Sequence, residues 1–396
     1  MNFYILALIK AAVVAGALLF TLLYLQWVER KVLAHIQVRP GPYRVGPHGL
    51  LQPLADTVKL LTKEDVLPPE VNRVYFLLAP FLAITLSLIS IAVVPFGPAV
   101  EIAGVRTWMQ LTDLNIGVVF VLAISSLTVY AVVLAGWSSN SKYPLLGALR
   151  SSAQMISYEL PLGMAVASVL LLSNSLSLRT IVDTQSAFYG GFFPAWNLFR
   201  MPLPQVVGFV VFMIAVFAET NRVPFDLPEA ESELVAGFHT EYSSMKFAGF
   251  FMSEYANMIT VTSMGTTLFL GGWLPLWPAR FGSNYVPTLL LAFFGAVAMY
   301  HGLHPARKRD RWSLKVVAVV LWAGAALFLV PIVQAFLIPL FWFLAKTGFL
   351  LFVFIWVRGT LPRFRYDQLM RFAWSFMFPV AVVNLLVTGL LVALAG

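Results

Sequence analysis

Ten stretches of this 396-residue chain are almost wholly apolar, and the polar residues gather in blocks between them. The stretches run at about 3–27, 75–95, 116–136, 153–173, 204–219, 245–270, 286–302, 314–332, 334–357 and 374–394. An α-helix needs roughly 20 apolar residues to cross the hydrocarbon core of a bilayer. The pattern therefore predicts an all-α fold, a polytopic transmembrane helix bundle of about ten spans in one integral membrane domain, 1–396. The first run is too long for a signal sequence and lacks a small-residue cleavage site, so it reads as a span that stays. The pair 286–302 and 314–332 can also be read as a hairpin that inserts as a unit.

The loops sort by charge. Loops 28–74, 137–152, 220–244, 303–313 and 358–373 hold eighteen Lys and Arg, while the alternate loops hold only Arg106, Arg179, Arg200 and Arg280. Basic loops stay on the cytoplasmic side, which predicts that both termini face outward. The first of these loops opens with a Pro- and Gly-rich stretch, Arg39 to Gly49, which reads as rigid irregular backbone. After it, Leu51, Leu54, Ala55, Val58 and Leu61 recur at helical spacing, with Gln52, Asp56, Lys59 and Lys63 elsewhere around the wheel. At 50–63 this segment is too short to span. It predicts an amphipathic helix along the cytoplasmic interface, or one packed on the bundle itself.

Composition narrows the chemistry. Hydrophobic residues make up 60% of the chain and charged residues 11%, with mean hydropathy +0.83. A soluble domain carries about 25% charged residues. The chain has no cysteine, so it can form no disulfide and supply no thiolate to an iron–sulfur cluster. It has no dinucleotide fingerprint, no P-loop and no HExxH motif. Any flavin, cluster or nucleotide belongs to other polypeptides. The net charge of +8 follows from the basic loops and is no nucleic-acid signal.

Against this background the acids stand out. Glu219, Asp226, Glu229, Glu231, Glu233, Glu241 and Glu254 are seven of eighteen acids, all within thirty-six residues. Ionisable groups beside lipid are costly and mark proton or ligand sites by default. Glu254 and Lys346 fall well inside spans, where a proton relay or an interhelical ion pair would account for them. Glu159 follows Tyr158 near the expected start of a span, so a helix N-terminus could explain it. Glu219 ends a span, which a solvated helix end would explain equally well. Asp226-Leu-Pro-Glu229 reads as a helix start, with Glu229 and Glu233 on one face and Glu231 on another. The five histidines have no metal-ligand spacing, and no metal site is expected.

Several motifs recur in order along the chain. They are Trp27-Val-Glu-Arg-Lys31, Val38-Arg-Pro-Gly-Pro42, Gly49-Leu-Leu-Gln-Pro-Leu-Ala-Asp56, Gly147-Ala-Leu-Arg-Ser-Ser152 and Ile156-Ser-Tyr-Glu-Leu160. Further on come Ala218-Glu-Thr-Asn-Arg-Val-Pro-Phe-Asp226, Glu229-Ala-Glu-Ser-Glu-Leu-Val235, Glu241-Tyr242, Glu254-Tyr255 and Arg365-Tyr-Asp-Gln-Leu369. Together they resemble the family of H-type membrane subunits of bacterial NADH-quinone oxidoreductase, respiratory complex I, over nearly the whole chain. The resemblance implies a subunit of the inner (plasma) membrane at the foot of a hydrophilic arm. There it would help form the chamber where a quinone is reduced. FMN and iron–sulfur clusters would sit on partner subunits, with none on this chain. Its partners would be the peripheral quinone-site subunits and the membrane antiporter-like subunits. It implies that Glu29, Arg30, Arg39, Asp56 and Lys59 lie near the quinone passage. It also implies that Arg222, Asp226, Glu233 and Glu241 face the chamber. Glu159, Glu219, Glu229, Glu231, Glu254 and Lys346 would form a chain of carboxylates and charge coupling toward the proton pumps. The family usually has eight or nine spans, so the apolar pair within 283–332 is an addition.

Two other readings stay open. A membrane subunit of an energy-converting hydrogenase would share the fold and several glutamates without the quinone. A free-standing transporter would show inverted repeats and broken helices at mid-membrane, which are not evident here.

Overall fold

A helix stands where each apolar run predicts one in the structure, a computed structural model that describes residues 3–102, 105–201, 203–226, 235–304 and 310–395. In chain order the helices are α1 (Phe3–Ile36), α2 (Gln52–Thr62), α3 (Arg73–Ser90), α4 (Gly117–Ser138), α5 (Lys142–Ser173), α6 (Leu178–Asp183) and α7 (Val206–Glu219). There follow α8 (Ser244–Phe269), α9 (Val286–Leu303), α10 (Asp310–Leu327) and α11 (Pro331–Thr360). The last span combines α12 (Tyr366–Phe372), a π turn at Ala373–Met377 and α13 (Phe378–Ala395). The chain is a polytopic helical membrane protein. Among the described residues, seven helical segments are long and apolar enough to cross a bilayer on length and composition alone.

The others have physical reasons to differ. α8 is enclosed by its neighbours and buried almost continuously from Met258 to Phe269. A helix that meets protein on every side need not be apolar toward lipid. Its hydroxyls bond back to its own turn, as Thr260 does to Ala256 O at 3.1 Å and Thr262 to Met258 O at 2.7 Å. α7 has 14 residues, about 21 Å at 1.5 Å per residue. The chain beyond its far end fills the missing depth. There Gln185 donates to Thr267 O at 2.9 Å and Asn197 to Leu268 O at 2.8 Å, which satisfies backbone that no water reaches.

Two antiparallel hairpins lie at this same end, opposite the basic loops. β1 (Gly97–Ile102) pairs with β2 (Val105–Met109), and β3 (Phe188–Tyr189) pairs with β4 (Phe193–Pro194). Lys10 of α1 donates to Trp108 O at 2.7 Å, and Arg179 stacks over the Trp108 ring at 4.1 Å while pairing with Asp113 at 2.8 Å. These strands were not anticipated. They are too short to show an alternation of their own beside the apolar helices.

α9 and α10 form an antiparallel pair that packs mainly on itself. Small residues allow the contact, as is usual between membrane helices. A Cβ at Gly295 would come within 2.5 Å of the Trp322 ring, and one at Gly302 within 3.0 Å of Lys315.

Candidate functional site

The site is built by the turn that follows α7. The amides of Thr220, Asn221 and Arg222 return to the carbonyls of Val216, Ala218 and Phe217 at 3.0–3.3 Å, which closes the helix. Asn221 takes a left-handed φ of 48°, a conformation asparagine tolerates. α5 holds this turn from the side. Gln154 donates to Ala218 O at 2.7 Å and to Phe225 O at 2.9 Å, and Asn221 donates to Ser151 Oγ at 3.0 Å. Phe225 packs on the buried ring of Tyr158. One turn of α5 further back, Gly147 lets the backbone of Gly237 and Phe238 approach to 2.8 Å of where a Cβ would stand. Two motifs that lie far apart in the sequence are thus the two halves of one joint.

The joint places Arg222 between carboxylates from distant helices. Its Nη1 is 3.5 Å from Glu29 of α1, and its Nη2 is 3.6 Å from Glu254 of α8. The guanidinium lies 4.3 Å above the Tyr255 ring. Arg358 of α11 pairs with the same Glu29 oxygen. Glu29 is only 3% exposed, and removing an ion from water at such a site is affordable only with opposite charge close by. Arg363 pairs with the buried Asp226 at 3.2 Å. Three arginines and three carboxylates from α1, α8, α11 and two loops thus meet at the basic end of the bundle.

A second group of carboxylates lies deeper. Glu219 is 7% exposed; the Ser125 hydroxyl of α4 donates to its Oε1, and its Oε2 has no hydrogen-bond partner among the described residues. The next residue of α4, Ser126, bonds Glu159 of α5, which stands close enough to Glu219 for their charges to repel. Ionising both at once costs more than ionising either. Glu219 also borders a cavity of about 20 Å³ with Ser90, Ser125, Asn257 and Thr260. That volume fits one water, and the polar lining could hold it. Asn257 follows Glu254 by three residues, so the two share a face of α8. Asn257 thus stands between the charged cluster, with which it shares the Glu254 face of α8, and the Glu219–Glu159 pair, with which it shares the small cavity through Glu219.

Two expectations about these residues change. α5 begins at Lys142, so Glu159 sits well inside the helix and a helix N-terminus does not account for it. Glu219 is buried, so it is no solvated helix end. The remaining candidates scatter more widely. Arg30 pairs with Asp56 of α2 at 2.6 Å, and Gln52 donates to the same carboxylate at 3.0 Å, which docks α2 on α1. Lys59 and Arg39 are exposed, and Glu241 is half-buried without an ion pair among the described residues. Leu54, Val58 and Leu61 leave the apolar stripe of α2 open. Glu229, Glu231 and Glu233, with the helix start expected there, lie outside the described residues. Ser125, Ser126, Asn257, Arg358 and Arg363 were not singled out from sequence. The serine pair in an apolar span and the Glu254–Asn257 spacing are the signals that could have shown them.

Lys346 stands apart from the carboxylates. Its ammonium donates to Leu270 O at 2.7 Å and Leu274 O at 2.8 Å and lies 4.5 Å from the Trp196 ring. It thus caps the C-terminal end of α8, where the helix dipole favours a cation. Lys346→Met should cost about 1–3 kcal/mol for each carbonyl left unpaired. A lower melting temperature of the purified protein would register it, and an unchanged one would contradict the capping role.

Near the joint, His239 is buried among Phe238, Phe247 and Phe251. Burial pushes its pKa down to about 4, from an ordinary 6.5. The unfolded chain therefore binds a proton that the folded chain refuses. Stability should be flat above pH 6.5 and fall toward pH 4, by up to about 1.4 kcal/mol per pH unit. In His239→Phe that acid-side slope should shrink in a pH series of thermal melts. An identical slope would mean that other groups set it.

The comparisons with known proteins bear on this arrangement. The family model described as NADH dehydrogenase matches residues 9–389. This chain belongs to the NADH dehydrogenase family. It is 64% identical over 392 residues to NADH-quinone oxidoreductase H-type subunit 1 of Solibacter usitatus, covering 99% of this chain and 98% of the relative. It is 48% identical over 402 residues to H-type subunit 2 of the same enzyme in Koribacter versatilis, covering 99% and 98%. With H-type subunit 2 of Geobacter metallireducens it shares 44% over 405 residues, covering 100% and 97%. The nearly end-to-end match to the Solibacter protein gives the α9–α10 pair a counterpart there. The turn after α7 joins two motifs of this chain, and the charged cluster it organises is the natural place to look for function.

Proposed function

We propose that this chain is the H-type membrane subunit of a proton-translocating NADH-quinone oxidoreductase, with its charged cluster at the quinone chamber and its carboxylate thread leading protons or charge away. Identity along the full length to proteins of that name supports the first part. The observation that supports the second is Arg222, held 3.5 Å from Glu29 and 3.6 Å from Glu254, carboxylates of two distant helices.

A quinone takes up two electrons and two protons to become a quinol. The chain has no cysteine, so the electrons come from clusters held by partner subunits, and the quinone is substrate. What this chain supplies is charge and a path. When the quinone draws protons at the chamber, the balance of charge around Arg222 changes. At 4 Å and an effective dielectric near 20, one unit charge is worth about 4 kcal/mol to its neighbour, enough to move a proton between sites. Arg222 then leans toward whichever of Glu29 and Glu254 stays ionised. Glu254 passes the change along its own face of α8 to Asn257 and the small cavity, and so to Glu219 and Glu159. Glu229, Glu231, Glu233, Asp226 and Glu241 complete the acidic wall of the chamber in this proposal, and Arg30, Asp56, Arg39 and Lys59 flank the quinone passage. Lys346 serves as a positioning residue, fixing the register of Glu254 and Asn257 by closing the end of α8. The basic loops favour this end on the cytoplasmic side and both termini outside.

Pull-down of the tagged protein in mild detergent tests the assignment. Flavin and iron–sulfur absorbance, with NADH-oxidising activity in the eluate, is expected. Nickel–iron partners without flavin would move the chain to the hydrogenase lineage, and a colourless, well-folded protein alone would remove the subunit reading.

A further inference from the structure

The back of α1 carries a second site that the polar thread does not use. Trp27, Lys31 and His35 recur every four residues and form one stripe. At about 100° per residue, Lys31 lies roughly 200° around the helix from the buried Glu29. The stripe lines an open cleft of about 560 Å³ that His48 of the first loop closes on its other side. His48 also borders a cleft of about 270 Å³, together with Tyr43, Arg44 and Trp312 of α10. The two clefts thus meet at His48, between α1 and the self-packed α9–α10 pair, whose contact with the first loop lies at the start of α10.

The chemistry of this double cleft is one-sided. Four basic side chains line it, Lys31, His35, Arg44 and His48, and no carboxylate appears among its described lining residues. The Lys31 ammonium lies 5.5 Å from the Tyr43 ring and 5.9 Å from the Trp27 ring. Aromatic rings of this kind collect at the level of lipid headgroups, and basic pockets between helices on the cytoplasmic side suit anionic headgroups. Toward the other end, both α1 and α10 show exposed apolar side chains, Val13 and Phe20 on one and Val316 and Val320 on the other. Acyl chains would find apolar surface to follow on each.

We infer that this double cleft binds one anionic phospholipid, its phosphate met by Lys31, Arg44 and His48 and its chains seated beside α1 and the α9–α10 pair. Charge complementarity selects the occupant, and a volume of several hundred cubic ångströms is of the size that small-ligand pockets have. The lipid would bridge the α9–α10 pair to the first loop, which that pair otherwise touches over little surface. The inference is independent of the proton route.

Native mass spectrometry of the intact complex, titrated with phosphatidylglycerol, phosphatidylcholine or inorganic phosphate, tests it. Wild type should hold phosphatidylglycerol, and the double variant Lys31→Gln, Arg44→Gln should bind it about thirtyfold more weakly, at about fivefold per basic side chain. Phosphatidylcholine should not tell the two apart, and millimolar phosphate should not displace the lipid. Equal phosphatidylglycerol binding by both proteins, or equal retention of the two lipids by wild type, would overturn the proposal. Displacement by phosphate would replace the lipid with a free anion. If the double variant does not assemble, photoreactive phosphatidylglycerol on wild type decides. Cross-links to peptides bearing Tyr43 or Trp312 support the site, and cross-links confined elsewhere remove it.

Discussion

Arg222→Met should abolish quinone-linked turnover and lower the stability of the protein by about 3–5 kcal/mol, the usual cost of breaking a buried ion pair from one side. Among the described residues, the change leaves Glu254 without its arginine and Glu29 with Arg358. It also strips the cation from the Tyr255 ring. Arg222→Lys keeps the charge but not the planar fork that reaches two carboxylates at once, so it should fall between. Adding Glu254→Gln to Arg222→Met should recover part of the stability, since the carboxylate left without its arginine is gone, but none of the turnover. The readouts are the yield of assembled complex and the NADH-to-quinone rate. NADH oxidation with a soluble artificial acceptor, which bypasses the membrane arm, serves as control. A double variant that recovered turnover along with stability would show that the cluster only holds helices together.

Glu219→Gln separates function from folding more cleanly. Glutamine keeps the shape and can still accept from Ser125, and a neutral amide is cheaper to bury than a carboxylate whose Oε2 has no partner among the described residues. Stability should therefore hold or rise slightly. Quinone-linked turnover and proton translocation should fall together by about a hundredfold or more, the usual scale for losing a positioned proton-transfer group. The artificial-acceptor rate should not change. Proteoliposomes with a pH-sensitive dye give both quantities in one preparation. Full turnover with normal acidification would take Glu219 out of the route.

Much of this could be read from the chain alone, and the reasons are physical. Lipid imposes an apolar length on each span, so the helices declared themselves in the hydrophobic pattern. Glu254 and Lys346 declared themselves because charge inside such a span is rare. Their partners did not. Glu29 and Arg222 are 193 residues apart, and nothing local says that they meet. Lys346 looked like a relay candidate and proves to face two backbone carbonyls, which have no signature in a sequence. Glu159 looked terminal because its helix begins with Lys142 and Tyr143, outside the apolar window. α8 could be recognised as a span but not as the enclosed one, since Ser and Thr that bond their own helix read as polar surface until the neighbours are seen.

The most direct test of the account is a double-mutant comparison in the assembled complex. Quinone-linked proton translocation would be measured for Glu219→Gln, Glu254→Gln and the two combined. Groups acting in series share one route, so the double variant should lose no more than the worse single variant, a strongly non-additive result. If the two losses multiply instead, or if neither single variant loses translocation, Glu254 and Glu219 do not belong to one thread.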